Sequence, residues 1–309
     1  MKRSKPILLL ILILIFIPFI IYSEVTLPRL ISDGMVLQRN ADVNVWGWAE
    51  PGEEITVTYR GSDYQTTTGK TGKWLVTLPG GEAGGPFTLT IRGENTLTVE
   101  NILSGEVWVG SGQSNMELPI YRVEPMYPDL VANSNNENIR YFKVPYKYDF
   151  SEPRQDLPSG SWQTATPETV PNFSAVAYFF ATELYQRYNV PVGIINSSMG
   201  GSPAESWISE DVLRNRFPRH YQEARRFRDS SLVRRIQRDD QARRQSWYRR
   251  LAEKDRGYDD PQQPWSAEQV NTANWATMDI PGYWADTNFG EMNGSVWFRK
   301  EITVPGAVA

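Results

Sequence analysis

The chain has 309 residues, of which 40% are hydrophobic and 12% aromatic, and its formal net charge is −4. This length and composition are typical of a globular protein of about two domains and exclude a disordered chain. The acidic balance gives no overall attraction to polyphosphate, so we expect no nucleic-acid partner. The sequence contains no cysteine, which excludes disulfides, zinc-thiolate sites and a cysteine nucleophile.

Residues 1–23 have the pattern of an export signal. Basic residues (Lys2, Arg3, Lys5) precede an apolar run from Ile7 to Tyr22. The run is shorter than the roughly 20 residues that a membrane-spanning helix needs. We therefore expect cleavage, a secreted or periplasmic protein and no stable membrane span; an uncleaved N-terminal membrane tether is the alternative.

The segment 24–101 is predicted to form a small β-sandwich domain. Hydrophobic residues alternate with polar ones in "DVNVWGW", "EITVTY", "KWLVTL" and "FTLTI", and glycine- or proline-containing turns separate these runs. The apolar face of each run is predicted to be core rather than a binding surface.

The segment 102–258 is predicted to be the first part of an α/β domain with a parallel sheet. A strand through Val109, a strand over 138–144, a helix over 173–188 and a buried strand over 191–198 follow one another. Ligands of such sheets bind beyond the carboxyl ends of the strands, where Ser114 and the pair Gly200-Gly201 fall.

The end of the chain changes in composition twice. Residues 214–256 are rich in arginine but interleaved with acids, which favours ion pairs on solvated helices over a surface for nucleic acid or anionic glycan. Residues 259–309 are rich in tryptophan and strand-forming residues and are predicted to begin a further, incomplete β-domain.

The stretch "GEVWVGSGQSNMELP" places Ser114 directly after a strand and a glycine turn. Such a turn exposes the hydroxyl and aims backbone N–H groups at a developing oxyanion. Met116 stands where the α/β-hydrolase elbow has its second glycine, so that fold is disfavoured. A serine in a glycine turn is by itself more often structural, but Gly200 and Gly201 supply further N–H groups at a neighbouring strand end.

The motifs "LISDGMVLQR", "VWGWAEPGE", "GKWLVTLP", "GEVWVGSGQSNM", "FSAVAYFFATEL" and "GGSPAESW", in this order, resemble the sialate O-acetylesterase family of carbohydrate esterases. The resemblance covers nearly all of residues 25–305. It implies an SGNH-type (GDSL-like, flavodoxin-like) catalytic sheet interrupted by a galactose-binding-like β-domain. It also implies that Ser114 is the nucleophile and that its N–H, with that of Gly200 or Gly201, forms the oxyanion hole.

Three other side chains near these motifs are candidates for substrate contact. Gln113 and Asn115 flank the serine and are expected to fix the turn through hydrogen bonds. Glu205 resembles a position near the family's substrate cleft; a helix cap or first-turn acid is the alternative.

Two family segments, W-Y-Q-G-E-x-N and the D-x-H-P segment with the catalytic histidine, are not found in residues 1–309. The one histidine, His220, lies in an arginine-rich helical stretch and is expected to be a solvated surface residue rather than the general base. We therefore expect a C-terminally truncated chain that lacks the catalytic His/Asp segment.

The function that follows is hydrolysis of acetyl esters on sugars through a serine nucleophile and an acyl-enzyme. The expected partner is an O-acetylated carbohydrate, and neither a metal nor an organic cofactor is expected. The alternative is a non-catalytic glycan-binding protein or pseudoenzyme that lacks the histidine.

Overall fold

The structure, a computed structural model, describes residues 24–303. The predicted export signal, residues 1–23, lies outside the described residues. These fall into two compact units, 24–221 and 222–303. Among residues 24–303, no helix is both long enough and apolar enough to cross a membrane.

The first unit begins with antiparallel strands that form the predicted sandwich. One sheet has the order β4-β3-β6-β7, with β1 added in parallel to β7, and the other is the pair β2-β5. The strands are β1 (Val36–Gln38), β2 (Val43–Trp48), β3 (Glu54–Tyr59), β4 (Ser62–Thr67), β5 (Lys73–Leu78), β6 (Gly84–Arg92) and β7 (Thr96–Gly112).

The alternating residues of these strands form the core, as predicted. In β5, every second residue is buried, and Val76 and Leu78 are at most 5% exposed. Ile55, Leu89 and Ile91 contribute fully buried side chains from the other sheet. Burial of such side chains stabilises the fold by about 1.5–3 kcal/mol each.

Strand β7 is shared between the sandwich and the α/β part of the unit. Its first half pairs with β6 in antiparallel fashion, and Glu106–Gly112 pair with β10 in parallel. The predicted boundary between residues 101 and 102 therefore lies inside a continuous strand. The elements that follow are α1 (Ser114–Glu117), β8 (Asn136–Lys143), β9 (Trp162–Ala165), α2 (Ala175–Tyr188) and β10 (Val192–Ser198).

The α/β part has the strand order β7-β10-β8-β9, in which β7, β10 and β8 are parallel. The α/β class with a parallel central sheet is thus confirmed. Helix α2 is stabilised at its start by Ser174, whose Oγ accepts a hydrogen bond from the Ala177 N–H, and it ends at Asn189 in the left-handed conformation. The antiparallel edge strand β9 was not predicted from the sequence.

Helices follow β10, namely α3 (Glu210–Arg216), α4 (Pro218–Arg226) and α5 (Ser230–Lys254). Arg214 in α3 forms the expected i,i+4 ion pair with Glu210, at 3.1 Å. Within α5, which lies in the second unit, no ion pair between side chains is found in the described structure. An ion pair of the expected kind is therefore present in the first helix of the arginine-rich stretch.

The part of the second unit after α5 contains no strand among its described residues, 255–303. Ring contacts hold this segment instead, with 4.9 Å between the centroids of Trp265 and Trp275 and 5.3 Å between those of Tyr258 and Trp297. Strands require hydrogen bonds from a neighbouring strand, and the described residues of the unit supply none. The assignment of 259–309 to a galactose-binding-like domain stays a prediction.

Gly105 lies where β7 passes from the sandwich into the parallel sheet, and it is buried against Pro191, the residue before β10. A Cβ on Gly105 would lie 2.6 Å from the carbonyl carbon of Pro191. Gly105→Ala should therefore lower the free energy of unfolding by about 1–3 kcal/mol in urea denaturation. Gly69→Ala is the control, because a Cβ there would lie 3.4 Å from its nearest neighbour. Equal stability of the two variants would contradict this account of the junction.

Candidate active site

The carboxyl ends of β7, β8 and β10 lie at one edge of the parallel sheet. The register places Ser198 of β10 beside Gly112 of β7, and Asn196 of β10 beside Lys143 of β8. The loops that leave these strands therefore begin side by side. This edge is where parallel α/β sheets bind ligands.

The turn after β7 presents Ser114 to solvent. Gly112 has φ +133°, a conformation that residues with a Cβ rarely adopt, and this allows the chain to turn from the strand into α1. The Gly112 carbonyl accepts a hydrogen bond of 2.9 Å from the Met199 N–H, which ties the turn to the loop after β10. Ser114 is exposed, and its hydroxyl makes no hydrogen bond within the described part of the chain.

The structure brings Ser114 and Gly200 together. Ser114 Oγ lies 3.7 Å from the point that a Cβ on Gly200 would occupy. Gly201, the next residue, has φ +75° and open space where a Cβ would be. The expected juxtaposition of the serine turn with this glycine loop is therefore present, while the roles of Ser114, Gly200 and Gly201 in catalysis stay predictions.

Gln113 and Asn115, which flank the serine, were expected to fix the turn through their side chains. Gln113 and Asn115 are exposed, and in residues 24–303 their side chains make no hydrogen bond. The turn is held by its backbone instead, through the Leu118 N–H to the Ser114 carbonyl at 2.9 Å and the Glu117 N–H to the Gln113 carbonyl at 3.0 Å. The hydrogen-bonding role expected for these two side chains is thus filled by main-chain groups.

Glu205 and His220 lie close to each other. The distance between His220 Nε2 and Glu205 Oε1 is 3.7 Å, and both side chains are more than 40% exposed. Glu205 belongs to a short 3-10 helix, Ala204–Trp207, and makes no side-chain cap there. In the described structure, His220 contacts Glu205 and Phe217, and no contact with Ser114 is found.

Sequence reasoning missed a polar cluster beside Ser114, formed by Glu117, Lys143, Tyr146 and Asn196. The Glu117 carboxylate accepts hydrogen bonds from the Tyr146 hydroxyl and from the Gly200 N–H. Lys143 Nζ lies above the Tyr146 ring, 5.2 Å from its centroid. For Glu117, the signal in the sequence was its position three residues after Ser114.

Asn196 connects this cluster to the serine turn. It is fully buried and accepts hydrogen bonds from Lys143 Nζ at 2.9 Å and Ser198 Oγ at 2.7 Å. Its Nδ2 donates to the Met116 carbonyl at 3.2 Å. A polar residue inside the otherwise apolar strand "PVGIIN" was the signal that could have identified it.

The protonation of the cluster follows from these contacts. The hydrogen bond from Tyr146 lowers the pKa of Glu117, and the Gly200 N–H and the charge of Lys143 act in the same direction against partial desolvation. Lost hydration and the bond to Glu117 raise the pKa of Tyr146. Burial lowers the pKa of Lys143, partly offset by Glu117. Glu117 is therefore an anion at neutral pH.

Known proteins similar to this chain include esterases. It is 30% identical to the sialate O-acetylesterase of Homo sapiens and 32% identical to that of Rattus norvegicus, in each case over 203 residues and 60% of this chain. A carbohydrate acetylesterase from Xanthomonas citri is 41% identical and superposes with a TM-score of 0.59, covering 62% of this chain and 44% of that one. No protein-family model matches.

These similarities confirm the resemblance drawn from the motifs and the α/β fold class. The chain spans 39% of the length of the human relative and 37% of the rat one.

Asn196 should be important for stability because three polar groups depend on it. Asn196→Ala leaves the Met116 carbonyl, Lys143 and Ser198 without their partner, so we expect a loss of about 1–3 kcal/mol in the free energy of unfolding. The matched control is Asn172→Ala, which alters an exposed asparagine and should stay within about 0.5 kcal/mol of wild type. Urea denaturation of both variants measures the difference, and an Asn196 variant as stable as the control would contradict the inferred network.

Proposed function

We infer that this chain, which the similarities above relate to the sialate O-acetylesterase family, carries the nucleophile and an oxyanion donor of a carbohydrate O-acetylesterase. The observation that carries the proposal is the approach of Ser114 Oγ to Gly200 at the ligand-binding edge of the sheet. An exposed hydroxyl beside a glycine loop is the arrangement that acyl transfer needs. The esterase names of the relatives support the same reaction class.

The proposed reaction has two steps. Ser114 Oγ attacks the acetyl carbonyl carbon while its proton passes to a base, and the carbonyl oxygen becomes an oxyanion bound by backbone N–H groups of Ser114 and of Gly200 or Gly201. Collapse of this intermediate breaks the bond to the sugar oxygen, which takes up the proton from the base to become a free hydroxyl, and leaves acetyl-Ser114. Water then attacks the acetyl group, and acetate leaves with Ser114 restored.

The described residues place no base in hydrogen-bond contact with the Ser114 hydroxyl. Ser114 Oγ has no hydrogen-bonded partner there, and His220 contacts Glu205 rather than the serine. A serine without a base is a weak nucleophile. We therefore propose that this chain by itself hydrolyses acetyl esters slowly and that an added base raises the rate of hydrolysis.

The test is acetate release from acetylated xylose and acetylated sialic acid, with and without added imidazole as the base. We expect slow release that increases with imidazole, and the part that imidazole adds should be lost in Ser114→Ala because the base acts on this hydroxyl. Ser111→Ala, which removes an exposed hydroxyl from the end of β7 just before the turn, should behave as wild type. Because xylose is neutral and sialic acid is acidic, the two release rates also show which class of sugar the chain prefers.

Two results would contradict the proposal. Release that survives Ser114→Ala would make the serine a turn residue only. Absence of any Ser114-dependent release, together with calorimetric binding of the acetylated sugar, would favour the alternative of a glycan-binding protein without catalysis.

A further inference from the structure

The Gly200 N–H, which the proposed reaction requires as an oxyanion donor, already has an acceptor within the chain. The acceptor is Oε2 of Glu117, and the other carboxylate oxygen accepts from the Tyr146 hydroxyl. Glu117 lies at the end of α1, the helix that Ser114 begins. One short helix thus presents both the hydroxyl and a carboxylate to the same glycine loop.

The Glu117 carboxylate lies where it would compete with a substrate oxygen for the Gly200 N–H. When Ser114 attacks an acyl carbon, the acyl oxygen needs a donor at about 2.7–3.1 Å, and Ser114 Oγ lies 3.7 Å from the Cβ point of Gly200. One N–H has a single proton to donate, so a carboxylate on it excludes a second strong acceptor. A charged acceptor also binds about twice as strongly as a neutral carbonyl.

We propose that Glu117 occupies the oxyanion position at the Gly200 N–H, so that acetate or the oxygen of an acetyl ester binds there only in competition with this side chain. The inference rests on the proposed function, since it concerns the same donor. Glu117 thus governs whether the oxyanion position is open, and the ligands that compete with it are small carboxylates and acyl oxygens.

The groups around Glu117 set the strength of this competition. Lys143, Tyr146 and the Gly200 N–H favour its charged form, and Tyr141 lies near enough to Tyr146 to act on it electrostatically. Lys143 is itself bonded to Asn196, so its charge is held in place. Protonation of Glu117 weakens its hold on Gly200 and occurs below the ordinary pH range of a glutamate because its pKa is lowered.

The amide of Gly200 can be observed alone by NMR. Met199-Gly200 is the one Met-Gly pair in the sequence, so labelling methionine with carbonyl carbon-13 and glycine with nitrogen-15 gives a single correlated signal. In wild type we expect a downfield amide proton that moves upfield as the pH falls through the lowered pKa of Glu117. In Glu117→Gln this movement should be absent.

Acetate is the probe for competition. Glu117→Ala should bind acetate about ten- to a hundred-fold more tightly than wild type, measured at the Gly200 signal, which corresponds to the loss of one charge-assisted hydrogen bond. Glu183→Ala removes an exposed carboxylate from α2 and should bind acetate as wild type does. The pH titration of wild type and the glutamine variant keep the test decisive if the alanine variant does not fold.

Each outcome bears on one claim. A wild-type Gly200 signal without pH dependence, or acetate binding that Glu117→Ala leaves unchanged, overturns the inference. Because these signals do not require turnover, competition without Ser114-dependent acetate release would overturn only the proposed function. Release without competition would overturn only the role of Glu117.

Discussion

The site depends above all on the parallel pairing of β10 with β7. This register places Ser198 beside Gly112, so β7 and β10 end at the same level of the sheet. The Ser114 turn, which follows β7, therefore meets the Gly200 loop, which follows β10. A slip of one residue would turn every side chain of β10 to the opposite face. Asn196 would then leave the interior, and its bonds to Lys143 and Met116 would be lost.

The sandwich helps to hold this register although it lies outside the site. Strand β7 runs through both parts, and β1 pairs with its middle, from Leu103 to Gly105. Close packing at Gly105 and Gly193 fixes β10 against the same region, since a Cβ at Gly193 would lie 2.7 Å from the Val36 side chain. The buried core of the sandwich thereby also stabilises the position of β7, the strand that ends in the serine turn.

Local patterns were sufficient to predict most of this architecture. Alternation in the N-terminal runs indicated the sandwich, and the sequence of apolar strand, helix and apolar strand indicated a parallel sheet whose ends carry Ser114 and Gly200. The polar cluster could not be predicted in this way, because Glu117, Lys143 and Asn196 come from three segments that only the register brings together. The strands expected after residue 259 illustrate the same limit, since a favourable composition forms no strand without a partner.

The cluster also explains why a carboxylate is tolerated beside the proposed nucleophile. A negative charge near a developing oxyanion opposes it, and the opposition grows where water is excluded. Here both oxygens of Glu117 have donors and Lys143 lies nearby, so the local charge is largely balanced. If the Glu117 side chain leaves Gly200, the Tyr146 hydroxyl and the Lys143 ammonium remain at the edge of the sheet. The displacement that frees the Gly200 donor thus removes a negative charge from beside the proposed oxyanion and so improves the electrostatics of the proposed site.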